Sequence, residues 1–305
     1  MYLIFTILLI VLILSGIVTT RSISRISSYL RLDHFAAGFI IMAIATGIPE
    51  LMVGISSVME GVSEVSLGNV LGSNVVNLSL IIGTAVLIAG EVNFSGKIKN
   101  ELIYPFFIAI LPILLVLDGS LSNVDGLFLI IVFIVYCLLV YRRGDFEEEE
   151  MVGRREFLSS LVLFSVGLIV LLASSRYLVH YALLIAVDIG VPVFFISIIL
   201  ISFGTSLPEL VFETISILHG FKGLAIGDLM ESTIVNSTLI LGVVAVMRPI
   251  PLTDLREFQV ASIFLVLLIF VFIAFLRSKS GITRPRAILL IFIYVIFLFL
   301  SVISR

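Results

Sequence analysis

The sequence predicts an all-α polytopic membrane protein with ten transmembrane helices arranged as two inverted five-helix repeats. Three observations carry this reading. The 305 residues are 60% hydrophobic and only 13% charged, with a mean hydropathy of +1.28, whereas a water-soluble globule is nearer half apolar and a quarter charged. Apolar stretches of about 17 to 25 residues recur along the chain, each long enough to cross roughly 30 Å of hydrocarbon as a helix. The chain also matches itself, without gaps, at a constant spacing of 159 residues.

Breaks at charges, glycines and prolines place the helices at about 2–19, 35–59, 65–89, 101–117, 124–141, 157–177, 191–218, 223–247, 259–276 and 286–303. The first span is followed, not preceded, by its nearest basic residues, Arg21 and Arg25, which is the reverse of a signal peptide. Counted loop by loop, Lys and Arg number three, none, two, none, four, one, one, two and four, with Arg305 at the end, so alternate sides hold 14 against 4. The positive-inside rule then puts both termini outside a cell membrane and the 142–156 loop in the cytoplasm.

That loop, RRGDFEEEEMVGRREF as far as Phe157, has nothing apolar to fold around and reads as a solvated linker. It separates a first half, 1–141, from a second, 157–305. A regulatory ion site in Glu147 to Glu150 is the weaker reading of the same segment. No basic patch points to nucleic acid. The single cysteine, Cys137, lies in an apolar run, where it packs and forms no intrachain disulfide.

The self-match pairs ATGIPEL (Ala45 to Leu51) with GTSLPEL (Gly204 to Leu210), and GNVLGSNVVNLSLIIG (Gly68 to Gly83) with GDLMESTIVNSTLILG (Gly227 to Gly242). From 45 to 83, 13 of 39 pairs are identical, among them Thr46/Thr205, Pro49/Pro208, Glu50/Glu209, Ser73/Ser232 and Asn77/Asn236. Chance pairing of apolar stretches would match Leu, Ile and Val; these matches are largely polar or conformational. The copies fall in predicted helices 2 and 3 and helices 7 and 8. An odd number of crossings separates them, so one copy is inverted relative to the other, as in many secondary transporters.

Glu50 and Glu209 sit within apolar spans that supply no Lys or Arg near them, and an ionised carboxylate there costs several kcal/mol unless compensated. A bound cation, a proton or a water-filled cavity can settle the charge. A neutral glutamate in a helix–helix hydrogen bond explains one such residue better than a symmetric pair. Pro49 and Pro208 open the preceding turns and free carbonyl oxygens around 43–46 and 202–205. Carbonyls, the hydroxyls of Thr46 and Thr205, and carboxylates are hard oxygen ligands that suit Ca2+ and Na+, and no Cys or His cluster invites a softer metal. His34, His180 and His219 fall near span ends and read as interfacial. Asn69, Ser73 and Asn77 share one helical face, as do Asp228, Ser232 and Asn236, while Gly68 and Gly72 read as residues that let helices approach.

GTSLPE followed by an asparagine-bearing helix, repeated in inverted halves, resembles the α-repeats of the sodium/calcium exchanger family in the cation/calcium antiporter superfamily. The resemblance covers residues 34–83 and 191–242; the flanking helices agree in number and polarity. It implies ten helices, external termini, a central Ca2+ site and adjoining Na+ sites used in alternation. It implies that Glu50 and Glu209, with the backbone carbonyls of Thr46 and Thr205, hold Ca2+. Ser73 and Ser232, with carbonyls near Ala43 and Ser202 and with Glu50 and Glu209, would hold Na+. Asn77 and Asn236 would complete the centre.

Three departures matter. TGIPE in the first copy gives Gly47 where the family has a serine, and so loosens that helix break. Asn236 stands where many relatives carry Asp, and its neutral amide argues against K+ co-transport. Glu231 replaces the usual glycine, while Glu213 adds a carboxylate where the first copy has Gly54. Glu213, Glu231 and Asp228 are therefore accessory candidates.

Charge counting supplies a reason for exchange. Two carboxylates are neutralised by one Ca2+ or by two Na+, and occupancy by both leaves excess positive charge in low dielectric. The expected activity is secondary active Ca2+/Na+ antiport by alternating access, by a monomer in the lipid bilayer and without a cofactor. The rival is a proton-coupled Ca2+ exchanger, kept open by Glu213 and Glu231; a Ca2+-selective channel would need a continuous pore. The spans offer no HExxH, no GxSxG and no nucleophile–base pair of an enzyme.

Overall fold

The computed structural model describes residues 2–30, 46–59, 61, 63–93, 103–143, 153–188, 206–252, 255–278 and 280–303. Its helices are α1 (Tyr2–Leu30), α2 (Ile48–Met59), α3 (Glu64–Val76), α4 (Ile82–Ala89), α5 (Ile103–Leu115), α6 (Asn123–Arg143), α7 (Arg154–Asp188), α8 (Leu207–Leu218), α9 (Lys222–Val235), α10 (Leu241–Met247), α11 (Leu255–Arg277) and α12 (Arg284–Ile303). A π-helical turn, Asn77–Ile81, joins α3 to α4, and a second, Asn236–Ile240, joins α9 to α10. Two short strands, β1 (Ser120–Leu121) and β2 (Ile250–Pro251), pair antiparallel.

Among the described residues, six helical stretches are long and apolar enough to cross a bilayer, and shorter apolar helices stand beside them. The chain is a multi-pass membrane protein. The stretches Ser66–Ala89 and Lys222–Met247 are 72% and 83% buried, against 28% for Arg154–Ser174 and for Arg284–Ser301. The α3–α4 and α9–α10 rods therefore form the centre of the bundle, and α7 and α12 lie at its rim.

Two boundaries differ from the sequence reading. The first helix continues past residue 19 to Leu30, because its polar stretch is amphipathic: Thr19, Thr20, Ser22, Ile23, Ile26 and Ser27 are buried while Arg21 and Arg25 face outward. Hydroxyls return to carbonyls of the preceding turn, as in Ser15 to Leu12 (2.8 Å), Thr19 to Ser15 (2.8 Å) and Ser28 to Ser24 (3.0 Å), which hides their polarity. Likewise α7 runs through Arg176 to Asp188, not ending at 177, with Ser174 back-bonded to the Val170 carbonyl at 2.7 Å. At 35 residues, or about 52 Å, α7 is longer than a perpendicular crossing requires.

α1 and α7 pack antiparallel. Arg25 pairs with Glu156 at 3.6 Å, the Tyr29 ring stacks on Phe157 at 4.1 Å, and a Cβ on Gly167 would meet the Thr19 hydroxyl at 2.8 Å. Leu12, Ile23 and Phe164 of this pair form an apolar cluster with Phe212 of α8 and Leu224 of α9, distinct from the larger core built mainly by α3–α6 and α9–α12.

The connections gather at two ends. At one, Arg21 meets His219 (3.3 Å), Lys222 Nζ donates to the Glu91 carbonyl (2.8 Å), the Arg284 amide donates to the Glu91 carboxylate (3.3 Å), and Val92 pairs with Ile282. At the other, the Ser63 hydroxyl donates to the Pro249 carbonyl (2.9 Å), Ser120 pairs with Pro251 and Leu121 with Ile250.

Many features recur at a spacing of 159. Both π turns do, and each holds a hydroxyl bonded to the carbonyl four residues back: Ser79 to Val75 and Thr238 to Ile234. Such a bond adds a second donor to that carbonyl; Thr19 and Thr233 make it within plain α-helix, so it accompanies the π turns rather than setting them. Gly61 and Gly220 share a φ of +85°, which favours glycine. A Cβ on Gly83 would lie 2.9 Å from Ile291, and one on Gly242 2.8 Å from Ile130, so α4 crosses α12 as closely as α10 crosses α6. These glycines carry the close contacts. Gly68 does not: it is exposed, with nothing within 4 Å of a Cβ.

Candidate cation site

Pro49 and Pro208 lie in the first turns of α2 and α8, where a missing amide hydrogen costs nothing. Ser206, just before α8, has φ −91° and ψ 6°, in the sparsely populated region common at functional sites. The turn is the same with glycine in the other copy: the Leu51 amide bonds to the Gly47 carbonyl (3.0 Å) and the Leu210 amide to the Ser206 carbonyl (3.1 Å). Gly47 makes the same closing bond as its serine counterpart.

One residue beyond each proline, Glu50 and Glu209 occupy first-turn positions and are 1% and 2% exposed. Free amides and the helix dipole there favour negative charge and offset part of its burial. Each proline-headed helix also reaches across to the other half: α2 packs against the Asn236 turn and α10, and α8 against the Asn77 turn and α4. Glu209 interacts electrostatically with Glu50, so the repeat partners share one region.

Thr46, Ser73, Asn77, Ser232 and Asn236 are buried with them. Among the described residues, Thr46 Oγ1, Ser73 Oγ, both polar atoms of Asn77, Glu209 Oε2 and Ser232 Oγ have no hydrogen-bond partner, and no Lys or Arg is buried. Unpartnered buried oxygens with no base nearby are the donor chemistry of a hard-cation site. Ala43, Ser202 and Thr205 lie outside the described residues, as do His34 and Glu147 to Glu150.

Glu213, Asp228 and Glu231 are fully buried, and none of their carboxylate oxygens has a hydrogen-bond partner among the described residues. Glu213 and Glu231 both interact with Asp228, and Glu231 with Glu209. Among the described residues, however, no three His, Cys, Asp or Glu side chains converge closely enough to hold a metal ion. The accessory acids are buried in the same region as Glu209.

Sequence comparison treated Asn77 and Asn236 as equals, but they differ. Asn236 Nδ2 donates to Asn74 Oδ1 at 3.1 Å, while Asn74 Nδ2 donates to Ser237 Oγ at 2.8 Å and to the Thr233 carbonyl at 3.4 Å. Asn74 and Ser237 were missed because matching identical pairs passes over them: their repeat counterparts are Thr233 and Leu78. A search for polar residues adjoining the matched ones would have found both.

The family model for sodium/calcium exchanger protein matches residues 1–142 and 159–303. The chain belongs to the sodium/calcium exchanger family. CaxA of Alkalimonas amylolytica is 32% identical over 236 residues, covering 74% of each protein. The sodium/calcium exchanger MaX1 of Methanosarcina acetivorans is 24% identical over 322 residues, covering 91% of each. A solved structure of the sodium-calcium exchanger NCX_Mj superposes with a TM-score of 0.84 at 26% identity, covering 96% of both chains. The exchanger family consists of transporters of Ca2+ and Na+ that are not enzymes and need no cofactor, and this member is a cation/Ca2+ antiporter.

Proposed function

We propose that the exchanger moves Ca2+ against Na+ by alternating access through one central site built by both halves. The observation that carries this is the burial of Glu209 and its repeat partner Glu50, which influence each other electrostatically, at helix starts that each pack on the opposite half. Ca2+ is held by both carboxylates with the carbonyls of Thr46 and Thr205. Na+ is held by Ser73, Ser232, the carbonyls near Ala43 and Ser202, and the same two glutamates. Asn77 and Asn236 line the middle. Two negative charges accept one Ca2+ or two Na+, so the ions compete, and an empty site keeps bare carboxylates in low dielectric.

The architecture proposed is ten spans in two inverted halves, 1–141 and 157–305, joined by the 142–156 linker. Antiparallel packing of α1 on α7, its repeat counterpart, supports inversion, as do the features recurring at 159. Sidedness follows from charge: the end holding Arg21, Arg25, Lys222 and Arg284 is cytoplasmic, and the end holding Arg248 is external, with both termini. One chain contains both half-sites, so a monomer in the bilayer suffices.

A second reading, proton coupling, is favoured by the three extra buried acids Glu213, Asp228 and Glu231. Purified protein in liposomes, with radiolabelled calcium uptake driven in turn by Na+, K+ and H+ gradients, separates the two. Uptake should follow the Na+ gradient and be abolished by Glu50→Gln and by Glu209→Gln. Uptake driven by H+ alone would establish the proton reading, and normal transport by both variants would overturn the site.

A further inference from the structure

We propose that Asn74 is a positioning residue that holds the Asn236 carboxamide with its oxygen turned toward the ion site. The inference rests on the central-site reading above and deepens it. The Thr233 carbonyl can only accept, so the end of Asn74 facing it is the amide nitrogen. Ser237 Oγ lies on the same nitrogen at 2.8 Å. The opposite end, Oδ1, then accepts from Asn236 Nδ2 at 3.1 Å. The chain of bonds has one direction and ends on a main-chain oxygen that cannot reverse it.

The consequence falls on Asn236. Nitrogen and oxygen lie on opposite sides of a planar carboxamide, so an amide group spent on Asn74 leaves Oδ1 facing away from α3. Asn236 opens the π turn that packs against α2, the helix bearing Glu50. A carboxamide left unheld is not committed to either orientation before an ion arrives, and only its oxygen binds a cation. Asn74, Asn236 and Ser237 are at most 2% exposed, which leaves these bonds well shielded from solvent.

The device exists on one side only. The repeat counterpart of Asn74 is Thr233, whose hydroxyl is committed to the Leu229 carbonyl at 3.0 Å. Asn77 accordingly has no hydrogen-bond partner on either polar atom among the described residues. Asn236 is a preset oxygen ligand, whereas Asn77 orients when an ion arrives.

Initial rates of Na+-driven calcium uptake in liposomes test this. Asn74→Ala should raise the KM for Ca2+ about five- to thirtyfold, the range expected when a buried amide loses its partner. The maximal rate should change less, because a bound ion orients the amide by itself. With Asn236→Ala already present, Asn74→Ala should add nothing, since there is no carboxamide left to hold. If Asn74→Ala does not yield folded protein, Asn74→Ser, too short to hold both bonds, carries the same expectation. An unchanged KM, or an equal rise with and without Asn236, overturns the inference while calcium exchange by the wild type leaves the function standing. Wild-type protein that moves no calcium overturns both.

Discussion

Among the described residues of the first repeat unit, a single acid, Glu50, is buried among hydroxyls and amides. In the second, Glu209 is accompanied by Glu213, Asp228 and Glu231, at places where the first unit carries Gly54, Asn69 and Gly72. The backbones nevertheless repeat: the same π turns, the same glycine at φ +85°, the same proline-headed helix and the same close crossing. The frame is therefore set by small residues, hydroxyls and prolines, and the acids are free to diverge within it. Symmetry of the scaffold does not require symmetry of the ligands, and Asn77 and Asn236 differ for the same reason.

The largest effect should come from the one acid pair that both halves keep. Glu50→Gln and Glu209→Gln should each lower calcium uptake at least about a hundredfold, as expected when a charge facing a desolvated cation is removed. If only one of the two does so, the halves do not share the site. Making the second unit like the first sharpens the comparison: Asp228→Asn should keep Na+-driven uptake within about threefold, or under ~0.7 kcal/mol. A loss as deep as that of Glu209→Gln would make Asp228 a ligand.

The frame can be broken independently of the site. Gly83→Ala and Gly242→Ala each place a methyl within 3 Å of a facing side chain or carbonyl, and each should cost about 1–3 kcal/mol in thermal unfolding of the purified protein. Gly68→Ala meets open space and should be neutral or slightly stabilising in its helix. The smallest effect belongs to Arg25→Ala: its pair with Glu156 is half exposed on both sides and is worth at most about 1 kcal/mol.

Much of this was legible in the sequence because polarity inside a membrane is scarce. The repeat, the paired glutamates and the prolines beside them all stand out against Leu, Ile and Val. What failed to stand out was polarity that satisfies itself locally. Hydroxyls of α1 bond to carbonyls of the preceding turn, so the polar stretch reads as a loop and the helix runs on past residue 19 to Leu30. Ser79 and Thr238 do the same within the π turns, for which hydrophobic periodicity has no signature. Gly68 looked like a packing glycine because spacing cannot tell which face of a helix meets a neighbour; Gly83 and Gly242 do that work. Asn74 matters through partners 159 to 163 residues away, a proximity created only by folding.

The central claim is that one site serves both ions in turn. It is tested most directly by radiolabelled calcium entry into liposomes with and without calcium or Na+ inside. The account predicts that either internal ion accelerates entry and that Na+ added outside slows it by competition. Entry at the same rate whatever the liposomes contain, and indifferent to external Na+, would contradict it.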